Sequence, residues 1–302
     1  MPSGYLSKAY ANSLSGFGNP MLLPRCGGWV LVRGISGSQH YDAMGLYPIF
    51  CCLDWRKVKR DLEDLKNDLV SLTLVTDPFG DFSQRDLEDT FDVVRFFKNH
   101  FVTEPARDYA PIICKHHRYY TKKSLESCTV EIVHQPLSLL DIWVRLYDTL
   151  IMRHDIAGIQ AFSKESFARQ LQVPGLVAFK ASVDDQTVGI HLWYAQKDIA
   201  YSHLAATSQR GYDVMASYAL YAGAIEYFYS NDTVKWLDFG AGAGPIDKKS
   251  GLTWFKKGWS KLSRPAFLCC KILQPNVYDE LSSQTSRASY LPAYRGNKIC
   301  PR

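Results

Sequence analysis

Apolar and polar positions change period several times along the chain. Residues 28–35 (GWVLVRGI) and 47–55 (YPIFCCLDW) are short β-branched or aromatic runs bounded by turn residues, which predicts strands. WRKVKRDLEDLKNDL (55–69) spaces its leucines and Val58 for a helix, and VSLTLVTDPF (70–79) reads as a strand stopped at Asp77-Pro78. DTFDVVRFFKNHFVTE reads as a short helix running into a strand. The first ~25 residues read as loop. From Cys114, CKHHRYYTKKSLESCTVEIV gives a basic helix and then a strand. LSLLDIWVRLYDTLIMR (137–153) places Leu140, Trp143, Val144, Leu146, Tyr147 and Leu150 largely on one helical face. SKESFARQL (163–171) is a second helix with Ser163 as N-cap and Glu165 in its first turn; Ser166 at N3 excludes a full capping box. Three strands follow at 176–183, 188–195 and 199–206, joined by turns so short that they must be antiparallel. The loop SQRGYD leads into an alanine-rich helix at 214–230. VKWLDFG is then a strand, GLTWFKKGW a short helix and AFLCCKIL a last strand, with a polar tail after Pro275 expected on the surface.

At 302 residues the chain fits one large domain or two modest ones, and 46% hydrophobic with 22% charged residues is ordinary for a folded soluble protein. A net charge of +5 permits an anionic substrate without requiring nucleic acid. The eight cysteines form no CxxC, and the pairs Cys51-Cys52 and Cys269-Cys270 lie inside apolar runs, as small buried hydrophobes do in a reducing compartment. No apolar stretch reaches the ~20 residues that span a bilayer, and no secretory leader pattern opens the sequence, so a cytoplasmic protein is expected.

The run WLDFGAGAG (236–244) has the form of an S-adenosylmethionine loop: an apolar strand, an acidic residue and alternating glycines. A methyltransferase would place that loop after the first strand of a doubly wound sheet, with a helix starting at the last glycine. Only 58 residues follow Gly244, and the next are PIDKKSG. A glycine-rich turn after a buried strand is the better reading. No Gly-x-Ser-x-Gly, P-loop, HExxH or Ser-x-x-Lys occurs, which removes the hydrolase, kinase and zinc-protease readings.

From Thr129 the order is strand, helix, helix, three antiparallel strands, helix, strand, helix, strand. Over about 129–274 this order resembles the GNAT acyltransferase fold. The closer resemblance is to the Fem-type branch, the peptidoglycan aminoacyltransferases and their relatives, which carry two GNAT-like halves. HHRYYTKKSLESCTVEIV stands where that branch has a basic helix and a strand between its halves, and LDFGAGAG, GLTWFKKGW and AFLCCKIL resemble its closing turn, F-K segment and final strand. The resemblance implies an α/β (α+β) protein with tandem GNAT-like halves, and mixed, largely antiparallel sheets flanked by helices. The implied divisions are 1–114, a degenerate N-terminal half; 115–274, the acyltransferase half; and 275–302, a tail. The implied activity is transfer of an acyl or aminoacyl group from acyl-CoA or aminoacyl-tRNA to a small or carrier-linked amine, without a metal. A GNAT-shaped binding module without catalysis is the alternative.

In that fold the donor lies where two strands splay apart, and the loop before the long helix holds its phosphates. The resemblance therefore assigns Leu204, Ala205, Ser208, Gln209, Arg210, Gly211 and Tyr212 to the donor, although SQRGYD has one glycine and a shorter spacing than the family loop. His203 and Tyr201, on the strand bordering the donor, are candidates for proton transfer, and Asp238 for positioning the acceptor amine or capping its turn. Lys256 in the F-K segment is a candidate oxyanion or phosphate partner. Lys115, Arg118, Lys122 and Lys123 form a basic face suited to a diphosphate or a tRNA. His116-His117 lacks the aspartate of an HHxxxD motif, and His154 and Asp155, in the cluster RHDIAG after the long helix, are acceptor-site candidates.

Overall fold

The computed structural model describes residues 2–105, 112–231, 234–242, 250–283 and 290–296. In chain order its regular elements begin with α1 (Lys8–Ser13), β1 (Asn19–Leu23), β2 (Gly28–Gly34), β3 (Tyr41–Gly45), α2 (Val58–Asp64), β4 (Ser71–Val75), α3 (Gln84–Glu88) and β5 (Val93–Thr103). They continue with α4 (Lys115–Leu125), β6 (Thr129–Val133), α5 (Leu140–His154), α6 (Lys164–Gln170), β7 (Leu176–Val183), β8 (Gln186–Gln196) and β9 (Ile199–Thr207). The rest are α7 (Gln209–Asp213), α8 (Ala216–Asn231), β10 (Trp236–Asp238), α9 (Gly251–Lys257), β11 (Leu262–Ile272) and α10 (Pro275–Ser282).

The chain forms two compact units that interleave: Met1–Ser13 with Lys98–Arg264, and Leu14–Phe97 with Pro265–Arg302. The linear boundaries at 114/115 and 274/275 do not follow this interleaving. In the first unit the strands run β5-β10-β9-β8-β7-β6, all antiparallel except β9 with β10. The hairpins β7–β8 and β8–β9 turn tightly because Asp184, Asp185 and Lys197 take left-handed backbone, which short turns require. Helix α8 packs its alanines Ala216, Ala219, Ala222 and Ala224 into one core with Phe179, Trp193 and Leu237. Ser163 caps α6 by accepting from Ser166 N, as its sequence predicts. Trp143 and Tyr147 of α5 meet Phe167 of α6 edge-on, and a fully buried aromatic of this kind contributes roughly 1.5–3 kcal/mol.

In the second unit the order is β1-β2-β3-β4-β11, with β3 parallel to β4. Four features depart from the sequence reading. The N-terminal segment, expected as loop, holds α1 and β1. Residues 47–55 contain no strand, only a bridge from Phe50 to Thr76. Their apolar character reflects burial of Ile49, Phe50, Cys51 and Cys52, while Pro48 has no N–H to give a ladder. The segment before His100 is strand from Val93 on, where its β-branched and aromatic residues favour extended backbone. The described part of the tail packs into the core: α10 and Ala293–Arg295 bury Tyr278 and Tyr294 against Ile35 and Val70, while 284–289 and 297–302 lie outside the described residues.

Candidate active site

The first unit carries a gap in its sheet. β9 pairs with β10 only at Ile199, Ala200 and Tyr201, opposite Trp236, Leu237 and Asp238. β10 ends there because Asp238 starts a turn: its Oδ1 accepts from Gly240 N at 2.7 Å, and Gly240 has φ +75°. Residues 202–207 of β9 go on pairing with β8 alone. Along that stretch the register slips, with Leu192 opposite Leu204 and Trp193 opposite Ser202, so His203 is the extra residue of a bulge. A bulged strand bends, which opens the gap further.

On the α8 side of β9, His191 Nε2 lies 2.8 Å from Ser202 Oγ. Trp193 Nε1 donates to His191 Nδ1 at 3.1 Å, so Nε2 carries the ring proton and donates to Ser202. The His191 ring stacks on Tyr221 at 4.5 Å, and burial, with the Lys256 charge added, holds its pKa well below the ordinary histidine value.

The turn after β10 gathers charge. Asp238, 2% exposed, places Oδ2 2.8 Å from His100 Nδ1 on β5. Lys98, two residues before His100, donates to Gly242 O at 3.2 Å. From α9, Lys256 brings Nζ so close to Gly240 that a Cβ there would lie 2.8 Å from it, so the glycine leaves room for the ammonium. Burial lowers the Lys256 pKa to about 8; Asp238 opposes that shift and Lys98 adds to it. Burial also lowers Lys98. Gly244, the last glycine of the run, lies outside the described residues.

The proposed proton-transfer residues of β9 lie elsewhere. His203 Nε2 donates to Gln170 Oε1 at 3.0 Å, and its Nδ1 accepts from Tyr5 OH at 3.1 Å. Burial pushes its pKa down to about 3. Both ring nitrogens are committed to protein partners, so the ring presents no lone pair to an incoming amine. Tyr201 is buried beside it against Tyr5, at 5.5 Å between rings. Both take this side because Tyr201 faces Tyr194 and the bulge turns His203 onto the same layer.

The donor loop is a short helix, where the sequence predicts a loop. Ser208 caps α7 by accepting from Gly211 N. Gly211 has to be glycine, since a Cβ would stand 2.3 Å from Val188 O. Met215, at φ +58°, separates α7 from α8, so the long helix starts at Ala216 rather than at Val214. Arg210 pairs with Asp184 in the β7–β8 turn. Gln209 Oε1 accepts from Arg153 at 2.9 Å, and the Arg153 guanidinium lies 4.0 Å over the Tyr212 ring. Leu204 and Ala205 are half-buried.

Lys115, Arg118, Lys122 and Lys123 are exposed along α4. The neighbouring histidines split: His116 meets the Tyr120 ring at a tilt at 4.3 Å and Trp254 edge-on at 4.7 Å, while His117 is buried and donates Nε2–H to Phe255 O at 2.7 Å. His117 needs Gly258 beside it, where a Cβ would fall 2.1 Å from the ring. Among the described residues no three His, Cys, Asp or Glu side chains gather to hold a metal.

His100, His191, Ser202 and Lys98 were not singled out by sequence reasoning. Alternation of Lys98, His100 and Val102 on one strand was the available signal, and the helix expected at its start obscured it.

Residues 115–247 match the family model of the acetyltransferase (GNAT) domain. The fold is similar to the crystal structure of FemX, with a TM-score of 0.66 at 13% identity, covering 92% of this chain and 95% of that one. It is also similar to the C-terminal domain of a putative lysylphosphatidylglycerol synthetase from Agrobacterium fabrum, with a TM-score of 0.60 at 12% identity over 90% and 91% of the chains. L-PGS from Bacillus licheniformis gives 0.57 at 12% identity over 98% and 99%. Sequence comparison with curated proteins gives no match.

Proposed function

We propose that this chain, whose residues 115–247 match the acetyltransferase (GNAT) domain, is a Fem-like enzyme that moves an acyl or aminoacyl group from acyl-CoA or aminoacyl-tRNA to an amine, in the cytoplasm. The observation that carries this reading is the gap where β10 stops at Asp238 while β9 continues past its bulge. An extended donor fits against the unpaired edge of β9, main chain to main chain at Leu204 and Ala205. Its carbonyl then lies within reach of the Lys256 ammonium, which stabilises the oxyanion as it forms. Binding in that groove supplies most of the acceleration by alignment.

Ser208, Gln209, Arg210, Gly211 and Tyr212 border the donor's phosphate end, and Lys115, Arg118, Lys122 and Lys123 offer a second anionic contact. Arg210 is already paired with Asp184, so a CoA diphosphate must displace that partner. A tRNA donor would instead place its phosphates on α4. We read the second unit as the degenerate partner half of a tandem arrangement.

Titration calorimetry with acetyl-CoA and with aminoacylated tRNA separates the donors. One of them should bind with a Kd near micromolar, about 8 kcal/mol. Binding of neither would leave a GNAT-shaped binding module, the reading that the filled α7 loop supports.

A further inference from the structure

An amine that attacks a carbonyl must shed a proton, and neither Lys256 nor His203 can take it in the reading above. Resting on that acyl-transfer reading, we propose that His100 is the base that takes the acceptor amine's proton, with Asp238 as the residue that orients its ring.

The four buried histidines differ in one respect. His117 has Nε2 on Phe255 O and Nδ1 on Cys114 Sγ; His191 is held by Ser202 and Trp193; His203 is held by Tyr5 and Gln170. His100 has Nδ1 on Asp238 Oδ2, and no hydrogen-bond partner for Nε2 is found among the described residues. An ionised carboxylate only accepts, so Nδ1 carries a proton, and in the neutral ring Nε2 is then the nitrogen that offers a lone pair. The His100 side chain is 10% exposed and Asp238 2%, so the pair is about nine-tenths buried.

The pair stands where the reaction is placed. Asp238 is the last residue of β10, directly opposite Tyr201, the last residue of β9 that β10 covers. Its second oxygen is committed to Gly240 N, which fixes the carboxylate plane. Among the described residues, the other charged or titratable groups near the pair are Lys98 on the same strand, Lys256 on α9 and Tyr221 on α8. An aspartate that holds Nδ1–H sets the tautomer and orientation of an imidazole base.

The step balances without a further reactant. The amine nitrogen forms a bond to the acyl carbon while the carbonyl π pair moves onto oxygen beside Lys256. The amine's proton passes to His100 Nε2. The adduct then collapses: the carbon–sulfur bond of a thioester, or the carbon–oxygen bond of a tRNA ester, breaks with its electron pair. The leaving group takes the proton from the imidazolium, which returns His100 to its neutral form.

Nitrogen-15 NMR of histidine-labelled protein reads the tautomer without any substrate. The wild type should show His100 protonated at Nδ1 and bare at Nε2 near pH 7.5. Asp238→Asn keeps an oxygen for Gly240 N but presents an amide donor to the ring, so the tautomer should flip to Nε2–H with the fold retained. On whichever donor binds, His100→Gln and Asp238→Asn should each lower kcat by ~10²–10⁴-fold, leave KM within about threefold, and remove the acidic limb of the rate profile. A wild-type His100 that is Nε2–H, or an imidazolium throughout pH 6–8.5, overturns the proposal whatever the substrate proves to be. So does a His100→Gln variant whose kcat and acidic limb are kept. The expected tautomer together with no turnover of either donor would instead sink the acyl-transfer reading on which the proposal rests.

Discussion

At the scale of single residues, histidine in this chain does two different jobs that the sequence cannot separate. His203 sits between Tyr5 and Gln170 with a pKa of about 3. Its folded value lies below the unfolded ~6.5, so the unfolded chain binds the extra proton and acid favours unfolding. The stabilising neutral state is fully present above about pH 6.5 and is lost as pH falls toward 3. Between pH 7 and pH 5 this residue alone should cost about 2 kcal/mol. Urea unfolding at both pH values, for wild type and His203→Gln, should show that much less pH dependence in the variant; equal dependence would mean His203 is not buried neutral.

Lys256 bears on the rate rather than on stability. Its pKa of about 8 means that the ammonium is present below pH 8 and is lost above it. If it stabilises an oxyanion, kcat should fall as pH rises through 8, and Lys256→Met should lose ~10²–10³-fold in kcat, as for removal of an oxyanion donor. A rate that climbs through pH 8 would make the neutral amine a base instead.

At the scale of elements, local signals were legible and long-range ones were not. The three strands β7, β8 and β9, with their turns, follow from alternation and from residues that accept left-handed backbone, so they could be placed within one or two residues of their ends. The cap at Ser163 was legible for the same reason. The break between α7 and α8 was not: it depends on Met215 taking φ +58°, which no neighbouring residue type announces. The His100–Asp238 contact joins residues far apart in sequence and needs the pairing of β5 with β10 to exist at all. The polar tail misled because two tyrosines and one arginine outweigh its composition. Arg295 reaches the buried Asp42, which Arg33 and Tyr294 also contact. Arg295→Ala leaves that carboxylate with part of its compensation removed, and should lower unfolding stability by about 2–4 kcal/mol. Surface arginines typically contribute ~0–1 kcal/mol. A loss in that smaller range, measured by urea denaturation, would return the tail to the surface role its sequence suggests.

At the scale of the whole molecule, the net charge of +5 matters only through where it is placed. Lys115, Arg118 and Lys122 fall within one sector of α4, all exposed, while His117 on its other side fixes the helix to α9. Diffuse charge would steer any anion weakly and be screened within ~8 Å at physiological salt. A row of cations on one helix can instead meet successive phosphates, and binding then carries a salt slope of ~0.9 for each phosphate neutralised on a duplex. Replacing Lys115 and Lys122 by glutamine keeps helix propensity and touches no buried group, so the melting temperature should stay within about 2 °C. If the donor is a tRNA held on α4, the slope of log K against log salt should shrink by about two in the double variant, with the deficit largest at low salt. Acetyl-CoA binding, confined to the gap and α7, should keep its salt dependence. Titrations of both ligands between 50 and 300 mM salt read the difference directly. An unchanged tRNA slope would show that α4 is a solvated face, and would leave the gap beside Asp238 as the whole of the substrate site.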